Sequence, residues 1–126
     1  MIANFIKNNS SLKNRSVKFK GWDAKNKTWT TEGIRIENGK VGSKNQDLII
    51  VECTNILDIN GKEIYEGDIL RAFKETGIKW EENFYIAQWD KTGYWKLTRT
   101  DGKEWYSAGI MSDLRHIEII GNIHTQ

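Results

Sequence analysis

Asp58-Ile-Asn-Gly-Lys-Glu-Ile-Tyr-Glu-Gly-Asp68-Ile-Leu70 carries two backbone reversals in close succession. Asn60-Gly61 predicts a tight hairpin turn, because both residue types tolerate the positive φ angles such turns need. Gly67-Asp68 predicts a sharp bend that opens a half-buried strand through Ile69-Leu70-Arg71-Ala72-Phe73. Asp68 is expected to bond backbone amides in that bend. Asn60, Gly61, Gly67 and Asp68 thus form a structural signature, and the stretch reads as β throughout.

Working outward, the same pattern repeats. Val17-Lys-Phe-Lys-Gly-Trp22 alternates, with Val17 and Phe19 on one face, and the turn Asp23 to Lys27 leads into extended Thr28 to Thr31. Ile34-Arg-Ile36 and Lys40-Val41 flank Glu37-Asn-Gly39, a short hairpin signal. Asp47 to Ile56 is an apolar, β-branched run suited to a central strand. Lys74 to Lys79 reads as a mobile loop. Phe84 to Trp89, the turn Asp90 to Gly93 and Tyr94 to Arg99 form the strongest hairpin, and Asp101-Gly102 is another primed-turn dipeptide. His116 to Ile123 closes the chain as a strand.

Ser107 to Leu114 alone suggests a helical turn, so the fold class is all-β: a small barrel or roll with at most one short helical turn. Residues 1–16, polar and Asn/Ser/Lys-rich, read as a flexible or docking arm, and residues 17–126 as a single β domain.

Composition bounds the function. The 126 residues suit one core; 38% are hydrophobic and 29% charged, as in a globular domain. The net charge of +2, from 19 basic and 17 acidic residues, makes no global case for nucleic acid or an anionic membrane. Cys53 is the only cysteine, so an intrachain disulfide or a cysteine-based zinc site is excluded, and its apolar run predicts burial. No stretch has the roughly 20 apolar residues of a membrane span, and the N-terminus has no secretory pattern. A cytoplasmic protein without membrane contact is expected.

Four blocks carry a family resemblance: Val17-Lys-Phe-Lys-Gly-Trp-Asp23 with Thr28-Trp29, Asn60 to Ile69, Ala87-Gln-Trp-Asp90 with Gly93-Tyr-Trp95, and Ile119-Ile-Gly-Asn-Ile123. The sequence resembles the YopX-like family, small proteins encoded mainly by phages and prophages of Gram-positive bacteria. The resemblance implies an SH3-like β-barrel or roll in a bacterial host cell, with a homo-oligomer expected. It implies no catalytic residue.

The residues themselves carry little catalytic signal. Glu66 and Asp68 are close in sequence, but a metal site needs further oxygen ligands in a spacing this chain does not offer. His116 and His124, the only histidines, have no ligand spacing. No Gly-x-Ser-x-Gly elbow, P-loop or dinucleotide fingerprint occurs. No metal and no cofactor is expected.

The six tryptophans are the stronger hint. In an alternating strand, Phe84, Ile86 and Gln88 face one way, and Tyr85, Ala87 and Trp89 the other. Trp95, Leu97 and Arg99 share a face, opposite Tyr94, Lys96 and Thr98. A small barrel has one interior, so some rings face solvent, an interface or a ligand. Trp89, Tyr94 and Trp95 with Lys96, Arg99, Arg71, Lys74 and His116 suit a base-and-phosphate ligand. The leading expectation is a non-enzymatic counter-defence protein that sequesters a nucleotide-type signal or blocks a host defence protein. Two alternatives stand beside it. One is a nucleic-acid-binding module using a stripe of Lys18, Lys20, Lys25, Lys27, Arg35 and Lys40. The other is an enzyme acting on a phosphorylated small molecule through Asp68, Glu66 or His116.

Overall fold

The computed structural model describes residues 18–125, apart from 46, 76, 90–92, 94, 103 and 107–113, and gives only the backbone of 104–106. The described residues are all-β, with eleven strands. In chain order these are β1 (Phe19–Asp23), β2 (Thr28–Thr30), β3 (Ile34–Glu37), β4 (Lys40–Ser43), β5 (Leu48–Leu57), β6 (Glu63–Tyr65), β7 (Asp68–Glu75), β8 (Trp80–Trp89), β9 (Trp95–Arg99), β10 (Glu104–Tyr106) and β11 (Leu114–Asn122). They form a four-stranded sheet ordered β2-β1-β5-β6, a five-stranded sheet ordered β10-β9-β8-β7-β11, and the β3–β4 ribbon. The result is a small curled β roll. No described helix is long and apolar enough to cross a membrane.

Two apolar clusters hold the layers. Leu70, Ala72, Tyr85, Ala87, Leu97 and Leu114 of the five-stranded sheet close on Ile64 of β6. Phe19, Leu48 and Ile50 pack under Val41 and Ile34 of the ribbon. The second contact needs Gly21, since a Cβ there would lie 3.1 Å from Leu48 Cδ1. Cys53 is buried, as its apolar run predicts.

The sheets are stitched at the opening stretch. Asp58 is buried, and its Oδ1 accepts from the amides of Asn60 and Lys62, both at 2.9 Å. Its Oδ2 accepts from the amide of Ile119 on β11 at 3.1 Å. The amide of Ile59 donates to the carbonyl of Ile117 at 2.7 Å. The β5–β6 turn therefore caps the edge of the other sheet. Burial pushes the Asp58 carboxyl upward, but the three amide donors and Lys62 hold it below the usual range.

Several expectations need correction. Only Gly61 of the Asn60-Gly61 pair has positive φ, at 78°. Gly61 donates to the Asp58 carbonyl at 3.0 Å, so the side chain of Asp58, with Gly61, shapes the turn rather than two left-handed residues. Likewise only Gly102 of Asp101-Gly102 has positive φ, at 91°, and it donates back to Arg99. Lys74 and Glu75 belong to β7, because Glu75 still pairs with Trp80 and the reversal is shorter than the expected loop. The suggested helical turn lies outside the described residues except for Leu114, which opens β11. The N-terminal arm lies outside them too.

A candidate ligand cleft between the two sheets

Strand alternation builds the site. Register places Lys20 opposite Val51 and Trp22 opposite Trp29, while Cys53 pairs with Tyr65. Phe19 and Gly21 point toward the ribbon, so Lys20 projects from the opposite face of the four-stranded sheet. There its ammonium lies 4.1 Å from the Trp29 ring centroid and 4.2 Å from that of Tyr65. Trp29 is braced by Trp22, with centroids 5.2 Å apart. The rings supply the negative faces of their π systems to the cation, worth about 1 kcal/mol each when partly desolvated.

Among the described residues no carboxylate or carbonyl takes a hydrogen bond from this ammonium. Its neighbour Lys18 differs, since it pairs with Glu63 at 2.8 Å. Lys20 opens on a cleft of about 290 Å3 also lined by Trp29, Lys62, Glu63, Asp68, Ile119 and Asn122. Two sheets thus contribute, β1, β2 and β6 from one and β7 and β11 from the other. Burial lowers the Lys20 pKa, against the upward pull of Asp68, Cys53 and Glu63. The Tyr65 hydroxyl is pushed up to about 12 by burial and by the anions near it.

Asp68 is a wall of this cleft rather than a free acid. Its Oδ2 accepts from the Tyr65 amide at 2.7 Å, and its Oδ1 from Asn122 Nδ2 at 3.0 Å. Gly67 has φ +86°, and its amide donates to the Ala87 carbonyl at 2.8 Å. The bend and the backbone role expected of Gly67-Asp68 are both present. Burial raises the Asp68 carboxyl despite the Asn122 and Tyr65 hydrogen bonds, and burial also raises Glu66.

The structure divides the residues that the sequence groups as a ligand surface. Trp89 and Trp95 pair across β8 and β9 and stack at 4.3 Å. They lie on the core side with Tyr85, Ala87 and Leu97, and Trp89 Nε1 donates to the buried Glu52 at 3.1 Å. Arg99 shares that side and pairs with Asp101 at 2.9 Å. Lys96, opposite Gln88, is on the other side, as is Arg71, which bridges Glu118 at 2.8 Å and Glu82 at 3.4 Å. Lys74 is exposed at the end of β7. His116 is exposed with φ 55°, edge-on to Phe73 at 6.1 Å. Tyr94 lies outside the described residues. The exposed rings that alternation demands are Trp80 and Phe84.

Lys20, Trp29 and Tyr65 were the residues a linear reading left unassembled. Alternation does put Lys20 opposite Phe19, but it does not bring β2 and β6 to either side of it. No described set of three or more His, Cys, Asp or Glu residues is placed to hold a metal ion.

The curled sheets and cleft define a small all-β roll. The family model for YopX protein matches residues 6–126, and the chain belongs to the YopX family. Among solved structures, protein EF1440 from Enterococcus faecalis is similar over 89% of this chain and 96% of its own, at 19% identity and a TM-score of 0.55. That likeness is one of fold. No curated protein matches the chain.

Proposed function

We propose that this protein works by binding, without turnover, and that its ligand is a small anion of nucleotide type seated in the Lys20 cleft. The observation that carries this reading is the Lys20 ammonium, clamped between Trp29 and Tyr65 with no described hydrogen-bond acceptor and open to the cleft. An arriving phosphate supplies the acceptors that the ammonium lacks, and Lys62 adds a second cation on the rim. Trp29, which lines the cleft beside Lys20, supplies an aromatic wall for the base. The cleft volume of about 290 Å3 sits at the lower end of ligand sites, which favours a mononucleotide-sized group. In the phage setting that the family resemblance implies, the role is counter-defence, by capture of a host signal. The reading includes a homo-oligomer, with the side of the five-stranded sheet that exposes Phe84 as the face to be covered.

Isothermal titration against mononucleotides, cyclic nucleotides and ADP-ribose-type compounds tests it. Heat is expected with at least one of them and is expected to vanish in Lys20→Met, whose circular dichroism stays unchanged. Absence of heat across the panel would end the ligand reading. Recovery of the bound compound intact after denaturation supports capture, whereas a chemically altered product would move the site to the enzyme class. A monomer mass by light scattering would end the homo-oligomer component.

A further inference from the structure

The β3–β4 ribbon carries a second, unrelated feature. Its register pairs Glu37 with Lys40 and Arg35 with Gly42. Side chains alternate along a strand, so these four residues share one face and Ile34, Ile36, Val41 and Ser43 share the other. Ile34 and Val41 pack on Phe19, Leu48 and Ile50, which turns the Arg35 face away from the core. That face borders a trough of about 440 Å3, which Gly33 and Lys44 also line just beyond the paired residues.

Two glycines make the trough. Gly42 lies opposite Arg35 in the ladder, and Gly33, with φ 76° just before β3, lines the same trough, so both leave bare backbone between long side chains. A Cβ at Gly33 would meet nothing nearer than Ser43 Oγ at 3.9 Å, so the backbone is open there. Lys40 and Arg35 then place cations on two successive rungs of that face, about 6.8 Å apart along the strands, and Lys44 lines the trough beyond them. The one acid lining the trough among the described residues is Glu37. It stands 4.0 Å from Arg35, and both side chains are more than half exposed, so the pair leaves the guanidinium available.

We propose that this ribbon face binds the phosphodiester backbone of single-stranded nucleic acid, one phosphate to each of the three cations that line the trough. The rung spacing is close to the repeat of phosphates along an extended strand. Arg35, in the middle, offers a planar fork to one phosphate, and the flanking lysines act as point charges. A phosphodiester carries its charge on the chain itself, so it lies directly in a trough floored by glycine. An acidic peptide carries its charges at the ends of side chains, which the bare backbone does not accommodate as well. Contacts to phosphate alone read no base, so binding is expected to depend little on sequence. The near-neutral chain total does not oppose this, because the cations are concentrated locally.

Fluorescence anisotropy with a labelled oligothymidylate tests the proposal. Three phosphate contacts predict that raising salt from about 50 to about 200 mM weakens binding about 20-fold. The exposed R35A/K40A/K44A variant is expected to lose binding with an unchanged circular dichroism spectrum. Should it fail to fold, the single change Lys44→Glu is expected to weaken binding at least about fivefold by reversing one contact. Lys20→Met is expected to bind the oligonucleotide normally, which separates this face from the cleft. No binding at low salt, full binding by a folded triple variant or Lys44→Glu, or competition by polyglutamate equal to that by oligothymidylate would each overturn the proposal.

Discussion

Asp58 shows how much one side chain does in this fold. Its carboxylate accepts two amides of its own turn and one from β11, so it holds a local reversal and a long-range junction together. Asp58→Ala strands three amides, and a loss of about 3 kcal/mol is expected in urea unfolding. The pH dependence follows from sign. Its folded pKa lies below the unfolded value, so its stabilisation is present above the ordinary carboxylate range and is lost as pH falls through the folded value. Asp68 runs the other way: burial raises its folded pKa, so its contribution is fully present below the unfolded value and is lost as pH rises through the folded one. Urea midpoints of Asp58→Asn across acidic pH should therefore fall less than those of the parent protein. An equally steep fall would remove Asp58 from the acid response.

The elements depend on glycine unequally, although the sequence prints Gly61 and Gly67 in similar settings. Gly61 has φ 78° and nothing within 4 Å of an added Cβ. Gly67 has φ +86°, and a Cβ there would sit 3.2 Å from Ile123 Cγ1 and 3.3 Å from Asn122 Nδ2. Gly61→Ala is expected to cost about 1 kcal/mol, the left-handed penalty alone. Gly67→Ala is expected to cost about 2 kcal/mol or more, because β11 must also shift. Thermal unfolding of the two variants checks the order, and equal losses would show that β11 yields freely. The turn and strand pattern of this region was legible in the chain, since glycine and alternation are local signals. The difference between the two glycines was not, because it lies in residues more than fifty positions away.

At the scale of the whole molecule, one polar contact that joins the sheets is the Trp89 indole on the buried Glu52. Trp89→Phe keeps most of the ring but removes the donor, and a loss of about 2 kcal/mol is expected in urea unfolding. An unchanged midpoint would mean that Glu52 needs nothing from β8. The same placement explains why the candidate site moved. Alternation correctly separated Trp89 from Gln88 and Trp95 from Lys96, but could not say which side the rest of the chain would cover. Burial went to the side with Tyr85, Ala87 and Leu97, taking both tryptophans and leaving Lys96 and Arg71 across the sheet.

By itself, the sequence determined the β class, most strand positions, the bends at Gly61 and Gly67 and the YopX family, because these rest on residues near one another along the chain. Only the tertiary structure decided that β2 and β6 stand on either side of Lys20, that Asp58 reaches β11, and that Gly33 and Gly42 open a trough between three cations. Each of these depends on sheet order and register. Those are set by which faces bury together, a property of the whole chain that no local pattern contains.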